Sequence, residues 1–374
     1  MITESEKKLD EALAQVISNF DLLSHLHPKN FDREKKKFFE ERNSNPVFRY
    51  DPYPKEKIEK SLKKLLQIQD VSGEFASLLL GRRDEIIQSL ELALHVGSPK
   101  FAHEAQKVFE LPNEQTTLRA RNILRKRQGH ARKKKKAKFL LAHEAKDVAL
   151  EYLAKLGIDG IKVVIEGGRS VRVAVEKGSN TIYIAAGSKF GPQSLQGVLA
   201  HEVGVHVVRG VNAKSQPLRL FEIGTEKYLG CEEGLATIAR KMVTDNPYFV
   251  STSYFVIASD IGSRSSFRDT YNVLRKLGAS EENAWKYTFR VKRGLGDTSK
   301  PGVFAKDAQY LLGVFEIEKY LQAGGKLHDL FVGKISPRDV SMLSENEVIV
   351  PPKFFPDFFV DAEDKVLEIL ARNS

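Results

Sequence analysis

Two histidines five residues apart enclose a glutamate in the run His201-Glu202-Val203-Gly204-Val205-His206, an HExxxH pattern. A second acidic stretch, Glu232-Glu233-Gly234-Leu235-Ala236, follows soon after, with Glu233 27 residues beyond His206. Two imidazoles and a carboxylate are the donor set of a catalytic zinc site, which uses three protein ligands and leaves a fourth position for water. Such a metal brings the ionisation of water close to neutral pH, and a neighbouring carboxylate can take the proton. The spacing also constrains the backbone. Metalloprotease histidines usually stand four apart on one helical face. At five, the side chains of an ideal helix point roughly 140° apart, too far to share a metal. One extra residue absorbed in a π-turn would bring them together. Gly204, between the histidines, would ease that distortion, so a widened helix is expected there. The competing explanation is a pair of unrelated histidines on an amphipathic helix.

The second stretch reads as a helix from Glu233 to Val243, with Leu235, Ile238, Ala239 and Met242 spaced for one buried face. Gly234 and Ala236 are small enough to let it pack close to the histidine helix. Glu232 and Glu233 point about 100° apart, so only one can face the imidazoles. An acidic pair at a helix start also has a simpler use, in stabilising the helix dipole.

The pattern of the chain predicts a mostly helical α+β fold, with a small, mainly antiparallel sheet preceding the active-site helix. Residues 1–135 form a helical region with a basic segment at its end, including helices over Lys57–Ile68 and Phe75–Leu94 and an extended linker over Asn43–Pro54. Residues 136–374 form the catalytic region. It begins with a helix over His143–Leu156 and continues with strands at Ile161–Ile165, Val171–Glu176 and Thr181–Ala185, the last two joined by a turn at Lys177-Gly178-Ser179-Asn180. Pro192 suits the first turn of the histidine helix. Helices dominate from there to Leu321, and Val360–Ala371 closes the chain. Sheet followed by active-site helix is the order of zinc peptidases, in which an edge strand can pair with the substrate backbone.

Lysine and arginine outnumber aspartate and glutamate 59 to 49, a net charge of +10. Much of the excess lies between Arg119 and Lys138, in Arg125-Lys126-Arg127 and Arg132-Lys133-Lys134-Lys135-Lys136. Such a run can bind nucleic acid or an acidic protein. It lacks the interleaved aromatics of a single-strand binder, so a solvated basic face is the preferred reading. An acidic peptide substrate would suit the same charge. Cys231 is the only cysteine, which excludes an intrachain disulfide and a thiolate zinc cluster, and it reads as a small packed residue. The charged start of the chain and the lack of a long apolar run point to the cytoplasm and away from a membrane.

The two motifs together resemble the tyrosine/phenylalanine carboxypeptidase domain family, bacterial proteins with a QEGLA motif that are relatives of the microtubule-associated tyrosine carboxypeptidases. The resemblance extends to Val208-Arg209-Gly210-Val211-Asn212 with Gln216-Pro217, and to Arg293-Gly294, Asp297-Thr298-Ser299, Pro301-Gly302 and Lys306-Asp307 with Tyr310. Near the N-terminus, Pro28-Lys29-Asn30 and Pro46-Val47-Phe48-Arg49-Tyr50 are also similar. One departure is Glu232, where the family motif has glutamine, a poor zinc ligand. That points to Glu233. The resemblance implies a metallocarboxypeptidase that removes a C-terminal Tyr or Phe from a peptide or protein. It would hold one zinc ion through His201, His206 and Glu233, with Glu202 as general base.

The later block offers groups for the substrate terminus. Arg290 and Arg293 are three apart on one helical face, and Lys306 and Tyr310 are four apart. An arginine can hold an α-carboxylate by two parallel hydrogen bonds, and a tyrosine hydroxyl can donate to an oxyanion. Surface ion pairs would explain any one of these residues equally well. Spacing alone does not separate exopeptidase from endopeptidase; the resemblance does. The alternatives are a zinc endopeptidase and a non-catalytic basic protein binding nucleic acid or an acidic partner, the latter disfavoured by Glu202, which only catalysis needs.

Overall fold

The computed structural model describes residues 1–128, 138–169, 171–176 and 180–373. The chain forms two compact units, Met1–Gly129 with Phe249–Leu312, and His130–Tyr248 with Gly313–Ser374. It is the mostly helical α+β fold expected from the sequence. Among the described residues, no helix is long and apolar enough to cross a membrane. The basic run Arg132–Lys136 and the expected turn at 177–179 lie outside the described residues.

The first unit is helical. Its opening helix, Glu4–Ser18, starts at a capping box in which the Glu6 side chain accepts from the Thr3 N–H at 2.8 Å and the Thr3 hydroxyl accepts from the Glu6 N–H at 3.2 Å. Helices over Lys55–Leu66 and Ala76–Leu94 match the apolar spacing of their sequences. The Asn43–Pro54 linker is extended and paired: Phe48 N–H bonds Gly296 O, and Thr298 Oγ1 bonds Pro46 O. The helices Val250–Gly262, Phe267–Lys276 and Glu281–Lys292, which the sequence reading assigned to the catalytic region, belong here, because Val250–Gly262 packs on Glu114–Gln128. Trp285 fills the centre, with the rings of Phe38 and Phe267 at 4.9 and 4.8 Å.

The second unit begins with strand β1 (Leu140–Leu141) and the helix Ala142–Lys155. Strands β2 (Lys162–Glu166), β3 (Val173–Val175) and β4 (Thr181–Ala185) form one sheet in the order β2-β4-β3. Strand β5 (Lys189–Phe190) pairs antiparallel with β1. Strands β3 and β4 are antiparallel, and β2 and β4 are parallel in the register Lys162↔Thr181. Two of the three pairings are thus antiparallel, while the longest is parallel. Alternation along β4 buries Ile182 and Ile184 completely. After β5 come Gly191 and Pro192, which open the helix Pro192–His201 with proline in its first turn.

Candidate metal centre

The helix Pro192–His201 does not stop at its histidine. It passes through a π-helical turn, Glu202–Val207, and resumes as the α-helix Val208–Ala213. The wider turn takes up the fifth residue of the spacing and brings the rings of His201 and His206 to 4.9 Å between centroids, nearly perpendicular at 83°. Gly204 makes room for it. A Cβ at that position would stand 2.8 Å from Cζ of Phe358 and 2.9 Å from the Tyr152 hydroxyl oxygen.

The facing helix runs Tyr228–Met242, beginning five residues earlier than the sequence pattern indicated. Lys227, with φ of 56°, turns the chain into it from Gly224. Glu232 and Glu233 therefore lie inside the helix, both buried, and not at its dipole end. Small residues bring this helix close to its neighbours. A Cβ on Gly234 would meet the backbone of Gly313 at 2.6 Å, and one on Gly197 would meet Arg240 Cγ at 3.0 Å.

Three side chains converge across these two helices. Glu233 Oε2 lies 3.8 Å from His201 Nε2 and 3.9 Å from His206 Nε2. The three ligand atoms are all within 4.8 Å of one another, a group that can hold a metal ion. Zinc bonds to nitrogen and oxygen are about 2.0 to 2.2 Å, so one ion can sit among atoms this far apart after a small contraction. The donor set fits as well: two imidazoles and a carboxylate suit a borderline-soft cation. Burial, with His206 nearby, holds the His201 pKa well below its ordinary value, which keeps this imidazole a neutral donor.

Glu232 points elsewhere. Its Oε1 is 2.7 Å from His206 Nδ1, on the side of the ring opposite the converging atoms, and its Oε2 pairs with Arg209. Burial works against the charged forms of both partners. For Glu232, Arg209 and His206 overcome it and hold the pKa at about 2; for His206, the Glu232 hydrogen bond and the surrounding carboxylates raise it to about 9. Glu202 sits beside the histidines, on the π-helical turn that packs against the edge strand β3. Burial pushes its pKa up to about 7, the range that suits a general base at neutral pH.

Arg290, Arg293, Lys306 and Tyr310 belong to the first unit. Arg290 and Arg293 converge on Asp307, which is fully buried. Arg290 gives it both Nε, at 2.7 Å, and Nη2, and Arg293 adds Nη2 at 3.3 Å. The bidentate edge of Arg290 thus already holds a carboxylate of the protein. Lys306 Nζ lies 5.5 Å from the centre of the Tyr310 ring. Sequence reasoning missed Asp307, and also Arg209 as the partner of Glu232. Arg209 is three residues after His206, a spacing that shares a helical face and could have flagged it. Cys231 is buried.

The family model described as microtubule-associated tyrosine carboxypeptidase matches residues 36–372 of the chain. Microtubule-associated tyrosine carboxypeptidase 1 of Rattus norvegicus is 27% identical over 351 residues, 91% of this chain and 66% of the relative. The protein of that name from Homo sapiens is 28% identical over 336 residues, 88% of this chain and 62% of the relative. The chain spans just under two thirds of the length of these curated relatives.

Proposed function

The chain belongs to the microtubule-associated tyrosine carboxypeptidase family, and from that premise we propose that it is a zinc-dependent carboxypeptidase. It removes one residue, Tyr or Phe, from the C-terminus of a peptide or protein. The observation that carries this reading is the convergence of His201 Nε2, His206 Nε2 and Glu233 Oε2 beside the half-buried carboxylate of Glu202.

The three converging side chains hold the metal. When bound, a zinc ion supplies the Lewis acidity that makes water nucleophilic near neutral pH. Glu202 takes a proton from the attacking water as its oxygen bonds to the scissile carbonyl carbon. Glu202 then returns that proton to the leaving amine as the C–N bond breaks. Recognition of the free α-carboxylate requires a cation, and the developing oxyanion a hydrogen-bond donor. The basic balance of the chain favours an acidic substrate tail.

The test is mass spectrometry of a peptide panel with varied last residues, each as free acid and as amide, with and without a chelator. Loss of single Tyr or Phe residues from the free acids alone, abolished by the chelator, is expected. Internal fragments, or equal cleavage of acids and amides, would replace this reading with a zinc endopeptidase.

A further inference from the structure

We propose that Glu232, anchored by Arg209, is a positioning residue that fixes the His206 ring with Nε2 turned toward the metal. The inference rests on the metal-site reading above. A histidine that binds metal through one nitrogen is usually oriented by a partner on the other. Here that partner is Glu232, whose Oε1 lies 2.7 Å from His206 Nδ1. An acceptor at this distance holds the Nδ1 proton, so the proton that a metal displaces is the one on Nε2. The same contact excludes Glu232 as a ligand, because it faces the wrong nitrogen.

A carboxylate buried at this depth needs compensation, and the surroundings supply it. Arg209, with no solvent exposure, pairs with the second oxygen of Glu232. The guanidinium is itself immobilised. Its Nε donates to Leu330 O at 2.9 Å and its Nη2 to Ile335 O at 2.8 Å. The line from backbone carbonyls through Arg209 and Glu232 to His206 therefore has a fixed partner at every step. An amide at position 232 could accept from Nδ1, but it would lose the charged pairing with Arg209. The carboxylate makes the contact a charge-assisted hydrogen bond, which holds the ring more firmly.

The experiment compares zinc dissociation constants, by chelator competition, for the wild type, Glu232→Gln, Glu232→Ala and the double variant Glu232→Ala/Arg209→Met. The double variant leaves no lone buried charge and so guards against a folding failure of Glu232→Ala. Zinc affinity should fall about 10- to 100-fold in the alanine variants, the range for losing such a partner. Glu232→Gln should restore most of it. Nitrogen-15 NMR of the histidine rings in the zinc-loaded wild type should show a protected Nδ1 proton and metal-bound Nε2 on His206, with the proton losing protection in the alanine variants. Unchanged affinity in folded alanine variants, or Nδ1 coordination in the wild type, would overturn the proposal. A wild-type protein that binds no zinc would instead overturn the metal-site reading itself.

Discussion

Gly204 lies directly against Phe358, and a single added carbon would put Cβ 2.8 Å from Cζ of that ring. This contact sits on the widened turn that unites the two histidines. Gly204→Ala must push Phe358 or Tyr152 aside or move the turn. Overpacking of this kind costs roughly 1 to 3 kcal/mol. We expect a lower melting temperature together with weaker zinc binding, read by calorimetry and by chelator titration. Unchanged values of both would mean that the turn tolerates a side chain.

Metal content provides a separate check on the ligands. The purified protein should carry one zinc per chain, and His201→Ala and Glu233→Gln should each lose most of it in elemental analysis. Glu232→Gln should keep it. Greater loss from Glu232→Gln than from Glu233→Gln would exchange the roles of the two carboxylates.

Glu202→Gln should separate binding from chemistry. It removes a base but none of the converging ligand atoms, so zinc should stay bound. Turnover on a Tyr-ended peptide should fall about 10² to 10⁴-fold. Activity close to wild type would require another base.

Asp307 predicts an acid-labile step in the stability of the first unit. Burial alone would raise its pKa, but Arg293 and Arg290 hold it at about 2, below the usual value of 3.8. A carboxylate depressed in the folded state stabilises the fold fully above its unfolded pKa and loses that contribution as pH falls through the folded value. The stabilisation, on the order of 2 kcal/mol, should therefore drain away between about pH 4 and pH 2. Urea melts across that range should show the loss in the wild type and a flatter profile in Asp307→Asn. Identical slopes would show that Asp307 is not the titrating group.

The helical periodicity over Ala76–Leu94, the alternation along Thr181–Ala185 and the proline opening Pro192–His201 are local patterns, and the elements formed where those patterns placed them. The need for a widened turn between His201 and His206 was equally legible, because angular spacing along a helix is a property of sequence alone. Other features depend on segments far apart in the chain, whose meeting no local period encodes. The helices from Val250 to Lys292 joined the N-terminal unit because Val250–Gly262 found Glu114–Gln128 and Trp285 found Phe38. Arg290 and Arg293 converged on Asp307 once the chain had folded back on itself. The division of labour between adjacent glutamates was decided the same way. Sequence by itself determined that Glu232 and Glu233 must face different directions. Only the tertiary structure put Arg209 and His206 Nδ1 on one side and the two Nε2 atoms on the other, because a buried charge takes the direction in which packing supplies a partner.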